Sequence, residues 1–302
     1  MELQQLRYVV AVADLSNFTR ASEHCNVSQP SLSQQIINLE REIGHKLFHR
    51  LGRKAVLTEA GTAFLEHARR VLMEIENATI ELSDSPALER QINVGAIQTL
   101  TPYILPSLIA RSSKAYPNLQ INVQEDFRTS LIRGVIEGEL DMALVALPVK
   151  DEPRIHVETL LREPLLLVVS RDHPLASRPK VTAADLAGET FVMMGTASSL
   201  AQQVRSFCGD HHFEPRLRYR CSQVSTVKEF VSLGVGISIL PRMARADGDD
   251  ASLVYITLAD AEPYREIAVI RHMQRYQSRG AEQFLTLLRE HAARMVERFS
   301  AA

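Results

Sequence analysis

Residues 18–43, FTRASEHCNVSQPSLSQQIINLEREI, decide the first part of the fold. Phe18, Ala21 and Cys25 recur at helical spacing, and Asn26-Val27 interrupts them. Ser28 then stands where an N-cap belongs, with Pro30 in the first turn of a new helix, where a missing N–H costs little. In that second helix Leu32, Ile36, Leu39 and Ile43 are spaced four, three and four apart, which predicts a buried stripe. The opposite face carries Pro30, Ser33 and Gln34, with Gln29 at the tip. Amides and hydroxyls donate and accept at base edges, so a polar, nearly uncharged outer face predicts a helix that enters the DNA major groove. The segment reads as helix, tight turn, recognition helix.

Outward from this stretch, residues 2–14 form a first helix with Leu3, Leu6, Val10 and Ala13 inward. Residues 46–57, KLFHRLGRKAVL, alternate apolar and basic around Leu51-Gly52, which predicts a hairpin with Arg50, Arg53 and Lys54 at its tip. Such a hairpin is a wing, and arginine there suits the narrow, negative minor groove. A long helix follows over 58–83. Phe64, Ala68, Val71, Ile75, Ala78 and Leu82 repeat in it at four, three, four, three and four, a heptad seam that implies dimerisation and two half-sites of a partly palindromic operator. The bland reading is an amphipathic helix packed on its own domain. Ser85-Pro86 ends it.

From Gln91 the pattern changes to QINVGAI strand, a helix from Thr101, LQINVQED strand, TSLIRGVIEGEL helix and DMALVAL strand, a βαβαβ run with parallel strands. PLLLVVS, ETFVMM, helix 199–208, RLRYRC, helix 226–233, GISILP, EIAVIRH and helix 280–299 complete the chain. Two α/β lobes with a cleft between them are expected. The division is a DNA-binding domain over 1–57, a linker helix over 58–90 and a sensor over 91–302. Lobe one of the sensor takes 91–161 and 268–302, and lobe two takes 162–267.

The 302 residues are 45% hydrophobic with a net charge of −2, so the whole chain is no basic coat for nucleic acid. Residues 1–57 hold seven Lys/Arg against five Asp/Glu, an excess of two that clusters at 46–54. Three cysteines give neither a disulfide framework nor metal spacing, which points to a reducing compartment and to no metal or cofactor. With no leader pattern and no apolar run of membrane length, the expected location is the cytoplasm, with no membrane partner. Ten histidines fall in no HExxH, and no CxxC or GxSxG occurs, so nothing points to an enzyme. A transport-type solute-binding protein fits the two-lobed half alone and leaves residues 1–60 unexplained.

The stretch from Ser16 to Gly61 resembles the N-terminal module of LysR-type transcriptional regulators. The echoes include Arg20-Ala21, Val27-Ser28-Gln29-Pro30, Leu32-Ser33, Leu39-Glu40, Leu47-Phe48, Leu57-Thr58 and Ala60-Gly61. Gly138-Glu139-Leu140-Asp141, Asp172-His173-Pro174-Leu175 and Gly234-Val235-Gly236-Ile237 are similar to the family's sensor. The resemblance spans nearly the whole chain. It implies a winged helix–turn–helix, a dimerising linker helix and a sensor with the periplasmic-binding-protein fold, usually assembled as a homotetramer. Ile37 stands where the family often has Lys or Arg, which removes one phosphate contact unless Ile37 packs in a neighbouring contact.

The implied function is a regulator that binds double-stranded DNA under control of a small molecule. Gln29, Pro30, Ser33 and Gln34 are expected at the bases, and Arg50, Arg53 and Lys54 at the wing and backbone. Loops that precede helices should line the cleft, where helix N-termini offer free N–H groups to anions. Thr99, Thr101, Arg128, Thr129, Ser199 and Ser225 are the expected effector contacts. The family usually has Ser or Thr at Arg128, so a guanidinium there suggests a carboxylate ligand, unless it pairs with Glu125 or Asp126. The region GTASSLAQQVRSFC also resembles the peroxide-sensing branch of the family, which places a reactive cysteine nine residues before a resolving one. Cys208 matches the resolving position and Ser199 occupies the reactive one, so that disulfide switch is absent. A redox role for Cys208 or Cys221 is the alternative to a metabolite.

Overall fold

In the computed structural model, which describes residues 1–51, 54–84, 88 and 91–301, the chain forms two compact units, Met1–Ser83 and Asp84–Ala302. The first runs α1 (Leu3–Leu15), α2 (Phe18–His24), α3 (Gln29–Ile43), the hairpin β1 (Phe48–Leu51) and β2 (Lys54–Leu57), and α4 (Glu59–Ser83). Asn17 caps α2 by accepting from the N–H groups of Thr19 and Arg20 at 2.8 and 3.0 Å. Asn26 turns the chain at φ 54°. Ser28 Oγ accepts from Ser31 N at 3.3 Å at the start of α3, which closes on Gly44 at φ 75°. Leu32, Ile36 and Leu39 are fully buried and share a core with Val9, Val12 and Ala21. Burial of each large side chain contributes about 1.5–3 kcal/mol, which locks α3 in place.

Glu40 sets the wing, a role that nothing in its local sequence indicates. Its carboxylate is buried, accepts from Leu47 N at 2.8 Å and Phe48 N at 3.3 Å, and meets Lys46 Nζ at 3.0 Å. Two backbone donors at the base of the hairpin are thereby paired. Thr58 Oγ1 donates to Lys46 O at 2.6 Å and accepts from Gly61 N at 2.9 Å, so it joins the wing to α4. A Cβ on Gly61 would lie 2.0 Å from Leu47 O, which leaves room only for glycine.

The α4 seam divides. Ala68 is buried beside Leu65, and Phe64 packs against the core of this unit, as the bland reading expects for that half. Val71 and Leu82 are exposed, the latter at 91%. Ser85 and Pro86, read as the end of the helix, lie outside the described residues.

The second unit contains β3 (Gln91–Ile97), α5 (Thr101–Ala115), β4 (Gln120–Asp126), α6 (Arg128–Glu137), β5 (Met142–Ala146), β6 (Ile155–Ser170), β7 (Thr190–Met194), α7 (Ser199–Asp210), β8 (Arg216–Cys221), α8 (Val224–Ser232), β9 (Ser238–Pro241), β10 (Leu253–Ile256), β11 (Tyr264–His272) and α9 (Arg279–Ala301). The strand order is β4–β3–β5–β11–β6–β10, with β9 also on β6. Strands β3, β4 and β5 are parallel, as the βαβαβ pattern requires. Strand β11 is antiparallel to both β5 and β6.

Two cores define two lobes. One gathers Ile92, Leu105, Leu131, Leu144 and Phe284, the other Leu167, Phe191, Val204, Val227 and Ile239. Strand β6 joins them: residues 155–164 pair with β11, and 165–170 with β9 and β10. The sequence pattern marks this strand only from Pro164 and does not mark β10. Pro164 lies where β6 changes neighbours, so its missing N–H interrupts no ladder.

Candidate DNA-reading face and effector cleft

The exposed face of α3 differs from the expected one at Ser33. Gln29, Pro30 and Gln34 are exposed, whereas Ser33 is buried and its Oγ accepts from Gln29 Nε2 at 2.8 Å. A stripe about 100° wide around Leu32 and Ile36 takes in Ser33 and Glu40 on the same side. The outer row instead runs Ser31, Gln34, Asn38, with Gln34 Nε2 donating to Asn38 Oδ1 at 3.0 Å. Spacing of three and four from Gln34 is the signal that finds Ser31 and Asn38. Ile37 is half-buried.

On the wing, Arg50 is exposed and pairs with Ala55, one step behind the closing pair Leu51 and Lys54, so it is not at the tip. Its guanidinium lies 4.5 Å from the Phe18 ring centroid, a cation–π contact with the first residue of α2. Lys54 is exposed at the turn. Arg53 lies outside the described residues.

In the second unit three of the expected effector contacts, Thr99, Arg128 and Ser199, meet at one small void of about 10 Å3 between the lobes. Gln98, Asp126 and Ser198 join them there, beyond the expected set. Helices α6 and α7 both start at this void, and neither has a capping side chain. Their first-turn N–H groups therefore face it with the partial positive charge of a helix start. Thr129 and Ser225 are exposed and do not line it. Thr101 does not line it either, because its hydroxyl turns back to Ile97 O at 3.2 Å.

Arg128 bridges the lobes. It donates to Ala146 O at 3.2 Å and, across the cleft, to Gln202 Oε1 at 3.0 Å. No pairing with Glu125 or Asp126 is found among the described residues, and burial lowers its pKa from the ordinary guanidinium value. Gln203 Nε2 adds a second latch, to Leu147 O at 2.9 Å. With both latches made, the void holds little more than one water. A larger groove of about 700 Å3 opens elsewhere between the lobes, over Leu147, Val157, Phe207 and Tyr264. It has the size of a ligand site, with Ser206, Gln203 and Tyr264 among its polar lining, but no helix starts in it.

Behind Thr99 lies a deeply buried polar cluster. Arg265 Nε donates to Glu163 Oε2 at 2.7 Å, and both side chains are 0% exposed. Arg265 also donates to Thr99 Oγ1 at 2.7 Å and Thr99 O at 3.1 Å, and Glu163 Oε1 accepts from Met243 N at 2.7 Å. Burial pushes the Glu163 carboxyl above the usual carboxylate range, against the pull of Arg265 beside it. Cys208 and Cys221 are buried free thiols, and burial pushes Cys208 up to about 11 and Cys221 upward. Among the described residues no helix is long and apolar enough to cross a membrane, and no cluster of His, Cys, Asp or Glu has metal-binding geometry.

A winged helix–turn–helix followed by a two-lobed α/β sensor defines a ligand-responsive DNA-binding protein, and comparison with known proteins gives the same class. Residues 3–62 match the bacterial regulatory helix-turn-helix protein of the lysR family, and residues 86–293 the LysR substrate binding domain. The hydrogen peroxide-inducible genes activator of Dickeya chrysanthemi is 33% identical over 303 residues, spanning 100% of this chain and 99% of its own. The DNA-binding transcriptional dual regulator OxyR of Escherichia coli is 34% identical over 276 residues, 89% of each chain. A full-length OxyR variant from Pseudomonas aeruginosa superposes with a TM-score of 0.70 at 27% identity, over 97% of this chain and 94% of that one. The chain belongs to the LysR family: it is a DNA-binding transcriptional regulator with an effector-binding domain.

Proposed function

We propose that this regulator reads a partly palindromic operator as a homodimer paired through α4, assembled further into a homotetramer in the cytoplasm. In this reading residues 1–57 hold the DNA, 58–90 link, and 91–302 sense. Gln29, Pro30 and Gln34 meet base edges, supported by Ser33 beneath Gln29, and Arg50, Arg53 and Lys54 meet the backbone. The effector is a small organic anion in the inter-lobe cleft, held by Thr99, Arg128 and Ser199. Thr101, Thr129 and Ser225 are second-rank members of the site, because the void leaves them out.

The observation that carries the effector reading is convergence. Two uncapped helix starts, the hydroxyls of Thr99 and Ser199 and one guanidinium surround a single void. The Asp126 carboxylate also lines the void, with its Oδ1 engaged by Phe127 N at 2.6 Å. The helix starts, hydroxyls and guanidinium still offer more donors than acceptors, and an acceptor with negative charge satisfies them together. An effector displaces Gln202 from Arg128, which shifts the lobes from closed to open and back around the ligand.

The test is a thermal scan of the full-length protein against a panel of small carboxylates. A ligand at 100 times its dissociation constant adds about 2.7 kcal/mol of stability. The shift is expected for one class of anion and absent in Arg128→Ala, which should still bind operator DNA. Survival of the shift in that variant removes Arg128 from the site.

A second reading is favoured by the relatives named as hydrogen peroxide-inducible activators. It makes Cys208 or Cys221 the sensor, without a partner thiol at Ser199. The buried state and raised pKa of both thiols weigh against it.

A further inference from the structure

Arg265 is the largest fully buried side chain among the described residues, and the reading of the cleft as a site does not use it. A buried ion pair is weak evidence for stability, since apolar side chains of like volume often serve as well. What distinguishes this pair is its remaining contacts. Arginine has donors only, so Thr99 Oγ1 must be the acceptor in their 2.7 Å contact. The Thr99 hydroxyl hydrogen is therefore turned away from Arg265. It meets no other acceptor among the described residues, and Thr99 lines the void. Thr99 is thereby set as a donor toward whatever occupies the cleft. Arg265 Nη2 holds the Thr99 carbonyl as well, which fixes the loop between β3 and α5.

The other end of the cluster reaches the second lobe. Glu163 holds Met243 N in the short turn Arg242–Ala244 that follows β9. The same turn is tied back to the first lobe, because Arg242 Nη1 donates to Phe299 O of α9 at 2.8 Å and Met243 packs against the first core. From Thr99 through Arg265 and Glu163 to Met243, four residues connect the cleft to the joint between the lobes.

From this juxtaposition we infer that Arg265, held by Glu163, is a positioning residue for effector recognition: it fixes Thr99 as a hydrogen-bond donor to an acceptor ligand and couples that contact to the 242–244 turn. The inference rests on the cleft being the effector site. It narrows the ligand to one that presents an oxygen acceptor to Thr99, such as a carboxylate.

Two measurements on the full-length protein test it. The first needs no ligand: hydrogen exchange at the Met243 amide in Thr99→Val. Loss of one buried contact in a coupled chain should speed exchange by about tenfold, and an unchanged rate overturns the coupling. The second is a cycle of Thr99→Val, the pair Glu163→Gln with Arg265→Met, and all three changes together, with acetate as the probe. The Glu163→Gln change keeps an acceptor for Met243 N, and the paired variant is accepted only if its fold persists by circular dichroism. Thr99→Val and the pair should each weaken acetate by about tenfold, and the triple no further. Independent, multiplying losses mean that Arg265 does not act through Thr99. If the wild type binds no small carboxylate, the effector reading fails while the exchange result still decides the coupling.

Discussion

The two units present their polar groups in opposite ways. On α3 the amides of Gln29 and Gln34 are exposed, over side chains that are fully buried. In the sensor, Thr99, Ser198 and Ser199 are buried, and Arg128 is engaged with Gln202 and Ala146. A duplex is large and rigid, so the face that reads it must stand ready before contact. A small ligand is instead enclosed, and its site waits closed upon itself. The first unit therefore depends on stiffness and the second on an equilibrium between arrangements.

Removal of the stiffness should give the largest effect. Glu40→Ala leaves the N–H groups of Leu47 and Phe48 without their buried acceptor. The expected cost is about 3 kcal/mol, since bonds to a charged group are strong and orphaned buried donors are penalised. Urea unfolding of the full-length protein measures it, as an earlier transition of the first unit with the second unchanged. If Glu40→Ala unfolds like the wild type, the wing is not held by this carboxylate and the contrast between a stiff reader and a soft sensor weakens.

The next effect is chemical and bears on the sensor. Cys208 has a pKa of about 11 against 9.0 for the free group. At pH 8 its thiolate fraction is then about 100-fold below that of an exposed cysteine. Alkylation by iodoacetamide, followed by mass spectrometry, should be slower by about that factor in the native state and normal in denaturant. The sign for stability follows. The unfolded thiol ionises near 9.0 while the folded one holds its proton to about 11, so this group's contribution is full below 9.0 and falls as pH rises through that window. Fast alkylation at neutral pH would raise the peroxide reading above the metabolite one.

The same contrast explains what is legible in the sequence. The first unit is governed by short-range rules. Caps at Asn17, Ser28 and Thr58 and a stripe at fixed spacing lie within a few residues of what they determine. The helices are therefore readable nearly to their ends. Ser33 escapes such a reading because it sits at the edge of the buried arc, where alternation of polar and apolar residues does not discriminate inside from outside. Glu40 looks like a solvated charge, since its partners are seven and eight residues away on another element. In the sensor the decisive contacts are far longer. Arg265 meets Glu163 across 102 residues and Thr99 across 166, and no local pattern announces either. Thr99, Arg128 and Ser199 are legible because each precedes or opens a helix. Thr101, Thr129 and Ser225 obey the same rule, and the void leaves them out, so helix starts alone overcount a site.

The smallest expected effect lies on the wing and tests whether readiness there is electrostatic. Arg50 and Lys54 are exposed, and Arg50 is steadied by the Phe18 ring. Each phosphate contact contributes about −0.9 to the slope of log binding constant against log salt. Arg50→Ala and Lys54→Ala should each make the slope shallower by roughly that amount and weaken specific and non-specific DNA alike. Phe18→Leu adds a finer step. It removes the ring and keeps an apolar side chain, so Arg50 loses its orientation but not its charge. The slope should then hold while affinity falls by about 0.5–1 kcal/mol, the usual worth of an exposed cation–π contact. Fluorescence anisotropy over a salt series separates the two outcomes. A change of slope in Phe18→Leu would mean that the ring decides whether Arg50 reaches phosphate at all.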